Sequence, residues 1–259
     1  MAYRGMLAEN VTVRGHGGDV IEAYYARPLG AAPVPGIVVI HHAPGWDEWT
    51  FEIVRRLAHH GYAAISPHLY HRHGPGSFDD MAARARAAGG MNDAQVMGDV
   101  QGSIEFLRNQ TYASGKIGVI GFCSGGRHTV LAASQLKGID AAVDCWGGGI
   151  LPSERFPVSE NRPVPPIQLT EHLSAPLLGI FGNDDQSPSP AEVDQHEEAL
   201  KRAGKSYEFH RYDGAGHAFF CWERPAYRQE QAVDAWTKVF AFYERYLSTA
   251  DVPAGAAVS

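Results

Sequence analysis

The chain has 259 residues, 44% of them hydrophobic and 20% charged, which is typical of a globular protein with a sizeable core. The net charge is −7 and Lys and Arg form no clusters, which argues against nucleic acid and anionic membrane surfaces as partners. Three cysteines without metal-type spacing predict a reducing, cytoplasmic location, and the sequence predicts neither a signal peptide nor a membrane-spanning segment.

The first half of the chain alternates short apolar runs with amphipathic stretches. Residues 11–26 predict a β-hairpin, because valines alternate with polar residues on either side of a Gly-rich turn. Buried strands are predicted over 33–40 and 62–66, with a helix over 51–60 between them. Residues 68–90 are polar and weakly patterned, which predicts a lid-like excursion.

The second half continues this alternation. The predicted elements are a helix over 94–110, a strand over 116–121, a helix ending near 135, and strands over 141–146, 176–181 and 207–212, with helices over 191–203 and 225–247. Residues 150–173 are Pro-rich and predict a second excursion, and the small residues of 249–259 predict a flexible tail. We therefore expect one α/β domain over 1–248, with a mostly parallel sheet of about eight strands and helices on both faces.

The most informative stretch is residues 121–126, with the sequence GFCSGG between a predicted strand and a predicted helix. This spacing is typical of the nucleophile elbow of α/β-hydrolases, with Cys123 in the place of the usual serine. Gly121 and Gly125 would allow the tight turn, and the helix N-terminus would favour a thiolate. Gly-rich turns also bind phosphate, and cysteine is often an ordinary core residue. Ser124 is one position out of register for a nucleophile.

Two more candidate catalytic residues follow predicted strands further along the chain, Asp185 in Gly-Asn-Asp-Asp and His217 in Gly-Ala-Gly-His. Parallel sheets gather functional side chains at the carboxyl ends of their strands. Nucleophile, acid and histidine is the chain order of α/β-hydrolase triads. Cys123 would attack an acyl carbon, His217 would transfer protons, and Asp185 would orient the imidazole. Asp184 is the alternative acid, but the Gly-x-x-Asp spacing favours Asp185.

The remaining candidates complete the predicted pocket. The backbone N–H groups of Ser124 and Ala43 are predicted to form the oxyanion hole. The side chains predicted to line the pocket or to activate the cysteine are His42, Trp46, Tyr70, Phe122, Trp146 and Phe219. Histidines at 41, 42, 68, 71 and 73 raise the alternative of a metal site, but their spacing is weakly specific. No metal and no cofactor is therefore predicted.

Several motifs together resemble those of the dienelactone hydrolase (carboxymethylenebutenolidase) family. They are HHGYAAISP at 59–67, GFCSGG at 121–126, WGG at 146–148, FGNDD at 181–185 and YDGAGHAF at 212–219. The resemblance covers roughly residues 10–247. It implies an α/β-hydrolase fold, a Cys-Asp-His triad, and cofactor-free hydrolysis of a small-molecule lactone or ester.

The sequence departs from this family at two places. The family often has a glutamate where His42 stands, and an arginine that holds a substrate carboxylate shortly after the catalytic histidine. Here Cys221 stands four residues after His217, and Arg224 is only a loose substitute. A neutral lactone, ester or thioester is thus as compatible with the sequence as a carboxylated dienelactone. An inactive or redox-responsive small-molecule-binding protein of the same fold is the alternative, and both a monomer and a homodimer remain open.

Overall fold

An eight-stranded sheet forms the centre of the computed structural model, which describes residues 5–30 and 33–248. Its strands are β1 (Met6–Arg14), β2 (Val20–Pro28), β3 (Val34–Ile40), β4 (Ala63–Pro67), β5 (Ala113–Phe122), β6 (Ala141–Cys145), β7 (Leu177–Gly182) and β8 (Tyr207–Tyr212). They are arranged in the order β1-β2-β4-β3-β5-β6-β7-β8. The β1–β2 hairpin joins the sheet antiparallel to β4, and the pairings from β4 through β3 to β8 are parallel.

Helices cover both faces of this sheet. They are α1 (Glu48–His59), α2 (Phe78–Ala87), α3 (Asp93–Arg108), α4 (Ser124–Gln135), α5 (Pro190–Arg202) and α6 (Gln229–Leu247). Apolar residues of α1 and α6 pack in one core, whereas those of α2, α3 and α4 pack in a second core on the other face. The predicted mostly parallel sheet with helices on both faces is therefore confirmed. Across the two described ranges, no helix is both long and apolar enough to span a bilayer.

The predicted excursions contain more order than their sequences indicate. Helix α2 lies inside the 68–90 excursion and begins with a capping box between Ser77 and Asp80. The 150–173 excursion is irregular up to a 3₁₀ helix at Pro166–His172. Its Asn161 carbonyl accepts the backbone N–H of Asp93 at 2.8 Å, which joins the excursion to the start of α3.

Two predictions near the C-terminus, the start of the last helix and the flexible tail, have different outcomes. The predicted start of the last helix at 225 is wrong, because α6 begins only at Gln229, after the chain has turned with Arg228 N–H bonded to the Phe219 carbonyl at 3.1 Å. The predicted tail at 249–259 lies outside the described residues. The assignment of 1–248 to one domain stays a prediction.

Candidate active site

Cys123 is the one residue between the end of β5 and the start of α4. Its backbone has φ 56° and ψ −118°, a conformation that non-glycine residues rarely adopt. A Cβ atom at Gly121 would lie 2.0 Å from the Gly125 carbonyl oxygen, and one at Gly125 would lie 2.1 Å from the Ile40 carbonyl oxygen. Only glycine fits at both positions, so the predicted glycines allow the tight turn that presents the thiol.

The Cys123 thiol lies within hydrogen-bond reach of the His217 ring and of the backbone N–H groups of Ser124 and Ala43. Burial alone would raise the pKa of this thiol. The imidazole and the two amides outweigh burial, and the pKa falls below its ordinary value of 9.0. The N-terminus of α4 adds its positive dipole end at the same place. The site therefore favours a thiolate at residue 123.

His217 has two partners in the site. Its Nδ1–H donates to Asp185 Oδ2 at 2.8 Å, and the Cys123 thiol lies within hydrogen-bond reach of its ring. Burial works to lower the pKa of His217, but Asp185 and Cys123 raise it to about 10. The second oxygen of Asp185 accepts the Ser187 N–H at 2.8 Å, which fixes the carboxylate. The alternative acid, Asp184, is exposed, whereas Asp185 is buried.

The two amides predicted for the oxyanion hole are those of Ser124 and Ala43, and both act to lower the pKa of the Cys123 thiol. The Tyr70 hydroxyl donates to the Ala43 carbonyl at 2.9 Å, and burial raises the pKa of this phenol to about 12, so it keeps its proton. The Tyr70 ring also packs against Gly45, whose φ of +122° favours glycine. Tyr70 thus supports the loop that carries one of the two oxyanion donors.

His42 was predicted to line the pocket or activate the cysteine, and the structure pairs it with Asp47. Its Nε2 lies 2.7 Å from Asp47 Oδ2, and its ring lies 4.8 Å from that of Trp49. Asp47 is also the N-cap of α1 and accepts the Thr50 N–H at 3.0 Å. Burial would raise the pKa of Asp47, but these hydrogen bonds bring it to about 2. A partly buried carboxylate therefore fixes the orientation of His42.

The predicted pocket aromatics are almost completely buried. Phe122, Trp146 and Phe219 pack on one another, with the Trp146 centroid 5.6 Å from Phe122 and 5.4 Å from Phe219. The Trp146 ring also lies 6.4 Å from the His217 ring. Trp46 stacks on His68 at 4.8 Å. The first three rings therefore form one aromatic cluster, which meets His217 through Trp146.

The remaining histidines do not converge on one point. Within residues 5–30 and 33–248, no three His, Cys, Asp or Glu side chains are placed to hold a metal ion together. His41 bonds to the His42 carbonyl oxygen at 2.8 Å, and Arg72 rather than His71 makes the close ion pair with Asp99, at 2.7 Å. The metal alternative therefore has no ligand set in the described part of the chain.

Sequence reasoning missed two arginines whose charges act on Tyr70. Burial is the main cause of the raised Tyr70 pKa; the charges of Arg86 and Arg162 act to lower it, whereas that of Cys123 raises it. Arg162 belongs to the irregular 150–173 excursion, and its Nε is buried without a hydrogen-bond partner among the described residues. No periodicity marks this position, so the sequence offered no signal for it.

Comparisons with known proteins show which family this chain resembles. The sequence profile of the Dienelactone hydrolase family matches residues 21–247. A Methylorubrum extorquens protein provisionally assigned as a carboxymethylenebutenolidase is 35% identical over 245 residues, which cover 93% of this chain and 82% of that protein. A Bradyrhizobium protein, provisionally assigned as a 2-oxo-3-(5-oxofuran-2-ylidene)propanoate lactonase, is 28% identical over 90% of this chain and 92% of its own length.

Solved structures show the same relationship. A Klebsiella pneumoniae protein, provisionally described as a dienelactone hydrolase, superimposes with a TM-score of 0.84 at 30% identity, covering 93% of this chain and all of that chain (100%). The Pyrococcus horikoshii acylaminoacyl peptidase superimposes with a TM-score of 0.74 at 19% identity, covering 97% of this chain and 43% of that one. Together these likenesses confirm the predicted α/β-hydrolase fold.

Proposed function

The chain belongs to the dienelactone hydrolase family, and from this premise we propose that it hydrolyses a lactone or ester with Cys123 as the nucleophile. The observation that carries the proposal is the arrangement of His217, which donates to Asp185 and lies within hydrogen-bond reach of the Cys123 thiol. The lowered pKa of the thiol and the raised pKa of the imidazole favour a thiolate–imidazolium pair before substrate binds.

The proposed reaction has two halves. The Cys123 thiolate attacks the acyl carbon, and the backbone N–H groups of Ser124 and Ala43 stabilise the developing oxyanion. The His217 imidazolium then gives its proton to the leaving oxygen, which leaves a thioester on Cys123. Neutral His217 next takes a proton from water, which attacks the thioester and releases the carboxylic acid and the thiolate. Asp185 keeps Nδ1 protonated throughout, so that Nε2 performs the transfers.

Trapping the thioester tests this proposal. We expect p-nitrophenyl acetate, followed by a rapid acid quench, to add one acetyl group to the chain, located by peptide mapping on Cys123. Cys145 and Cys221 are internal controls, because burial raises the pKa of both thiols and leaves them protonated. Hydrolysis without acylation of Cys123, or acylation of another residue, would contradict the proposed nucleophile. A thiol that oxidises readily but is never acylated would favour the redox-responsive alternative.

We further propose that the substrate carries an anionic group, as does the propanoate in the name of the Bradyrhizobium lactonase. Arg162 supports this, because its buried Nε has no hydrogen-bond partner among residues 5–30 and 33–248, and its charge acts on the same Tyr70 hydroxyl as that of Cys123. Arg162→Gln is expected to reduce kcat/KM for a carboxylated lactone by about 10- to 100-fold, the range of one hydrogen bond to a charged group. Hydrolysis of a neutral ester of similar size should be unchanged.

The control for this prediction is Arg224→Gln, at the exposed position that loosely replaces the family arginine. We expect no change in the preference between anionic and neutral substrates. A loss confined to Arg224→Gln would instead assign the substrate carboxylate to the family position, and equal losses on both substrates would show that Arg162 stabilises the fold.

A further inference from the structure

A buried cluster of charged side chains lies behind the elbow. It consists of Asp93 at the start of α3 and Arg127 and His128 in α4, exposed by 7%, 4% and 1%. Arg127 forms a bidentate ion pair with Asp93 at 2.5 and 3.0 Å, and its Nε donates to the Gly149 carbonyl at 3.2 Å. The cluster therefore joins α3, α4 and the chain after β6 directly behind Cys123.

His128 contacts an acceptor with each of its ring nitrogens. Nδ1 lies 2.7 Å from the Ser124 carbonyl oxygen, and Nε2 lies 3.1 Å from Asp93 Oδ1. A carbonyl oxygen only accepts, so Nδ1 must carry a hydrogen. Burial would raise the pKa of Asp93, but His128 and Arg127 lower it and keep the carboxylate ionised, so Nε2 must carry a hydrogen as well. A neutral ring would place a lone pair against one of these oxygens.

Opposing effects act on the second ring proton of His128. Burial and the neighbouring Arg127 charge lower the pKa of His128 and outweigh Asp93 and the Ser124 carbonyl, which raise it, so the pKa lies below its ordinary value of 6.5. The charges of Arg127 and Asp93 also act on Arg162, from the 150–173 excursion. The hydrogen-bond geometry nevertheless favours the charged ring, because both ring N–H groups then have an acceptor and Asp93 has two cationic partners.

We propose that His128 is a positioning residue, a buried imidazolium that fixes the first turn of α4 and favours the thiolate of Cys123. Two positive charges and one negative charge leave the cluster with a net positive charge. Because α-helices rise 1.5 Å per residue, the backbones of His128 and Cys123 are about 7 Å apart along the axis. A positive charge at this range in a buried site stabilises an anion appreciably. The proposal rests on Cys123 being the nucleophile, as proposed above.

The protonation state can be measured directly in the wild-type protein. We expect long-range ¹H–¹⁵N correlation spectra of ¹⁵N-histidine-labelled protein at neutral pH to show two protonated ring nitrogens for His128. Assignment uses correlations to the backbone, so it does not require a variant that folds. A single protonated nitrogen on His128 would overturn the proposal, whatever the protein hydrolyses.

The effect on the thiol is measured by the pH dependence of iodoacetamide alkylation of Cys123. In His128→Gln, which keeps a donor but has no charge, the apparent pKa of the thiol is expected to rise by about one unit. Alkylation below that pKa would then slow about tenfold. His196→Gln is the matched control, because His196 is also a buried histidine but packs on Phe209 in a different part of the fold. It should leave the alkylation profile unchanged.

Two outcomes would contradict this role. If the alkylation profile of His128→Gln coincides with that of the wild type, the imidazolium does not favour the thiolate. If His196→Gln shifts it equally, the effect belongs to general packing. Because alkylation does not depend on hydrolysis, a failure here is distinguishable from the absence of an acetyl-enzyme, which would contradict the proposed function itself.

Discussion

Replacing Cys123 by alanine is expected to reduce kcat/KM for ester hydrolysis by about 10⁴-fold or more, the range seen when a catalytic nucleophile is removed. The substitution removes the sulfur but leaves both proposed oxyanion donors, because these are backbone groups of Ser124 and Ala43. It also leaves the His217–Asp185 pair intact. The loss would therefore measure covalent catalysis, and steady-state hydrolysis of a chromogenic short-chain ester is the measurement.

Two matched variants separate this loss from general damage. Ser124→Ala removes the neighbouring hydroxyl but keeps its N–H, and Cys221→Ala removes a buried thiol whose pKa is raised to about 12 by burial. Both are expected to hydrolyse the ester at close to the wild-type rate. Appreciable activity in Cys123→Ala, or a comparable loss in Ser124→Ala, would show that the nucleophile has been assigned to the wrong residue.

The residues of the proposed triad could be predicted because local constraints fix each position. Those constraints are visible in the sequence as glycines at the elbow and as polar residues directly after predicted strands. At the elbow, a Cβ on Gly121 or Gly125 would collide with backbone carbonyls, so the glycines themselves mark the turn. Asp185 and His217 follow β7 and β8, which are neighbours in the sheet. Parallel pairing thus brings together side chains that lie far apart along the chain.

Other features of the site depend on side-chain directions that a sequence does not encode. His42 follows β3 as the residue before a predicted oxyanion donor, but its bond to Asp47 depends on how α1 begins. His128 has the spacing of an ordinary core residue of α4, and only the packing of α3 brings Asp93 against it. Arg162 lies in an excursion without any periodicity, so the effect of its charge on Tyr70 could not be predicted from the sequence.

Asp144 is another residue whose environment the sequence does not reveal, because its position in a strand suggests nothing unusual. The side chain is fully buried in β6, where Oδ1 accepts the Gly147 N–H at 2.8 Å. Oδ2 has no hydrogen-bond partner in the described part of the chain. Burial, opposed only weakly by the Gly147 bond, raises the pKa of Asp144 from 3.8 to about 7.

Because of this raised pKa, the free energy of unfolding depends on pH. Between about pH 4 and pH 7 the folded chain keeps a proton on Asp144 that the unfolded chain has already released. The folded state therefore binds more protons, and the free energy of unfolding falls as pH rises through this window. Above about pH 7 the group is ionised in both states, and the full cost of the buried charge is present.

Asp144→Asn is therefore expected to stabilise the protein above neutral pH. Asparagine still accepts the Gly147 N–H but cannot ionise, so the cost of the buried charge disappears. A shift of about three units corresponds to at most about 4 kcal/mol, and the unpaired amide N–H₂ lowers the expected gain at pH 8 to about 2–4 kcal/mol. Urea unfolding at a series of pH values measures it, and the gain should shrink steadily towards pH 4.

Asp140→Asn is the matched control, because it removes the same charge from a partly exposed aspartate next to the start of β6. Asp140 accepts from Lys116 Nζ at 2.8 Å and from the Ile117 N–H at 2.9 Å, so its neutral replacement should give no gain at any pH. A gain from Asp144→Asn that is the same at pH 5 and pH 8 would mean that better packing, rather than relief of a buried charge, stabilises the variant. A loss of stability at pH 8 would mean that the ionised carboxylate is paired, and that the buried charge beside the elbow helix has no cost to relieve.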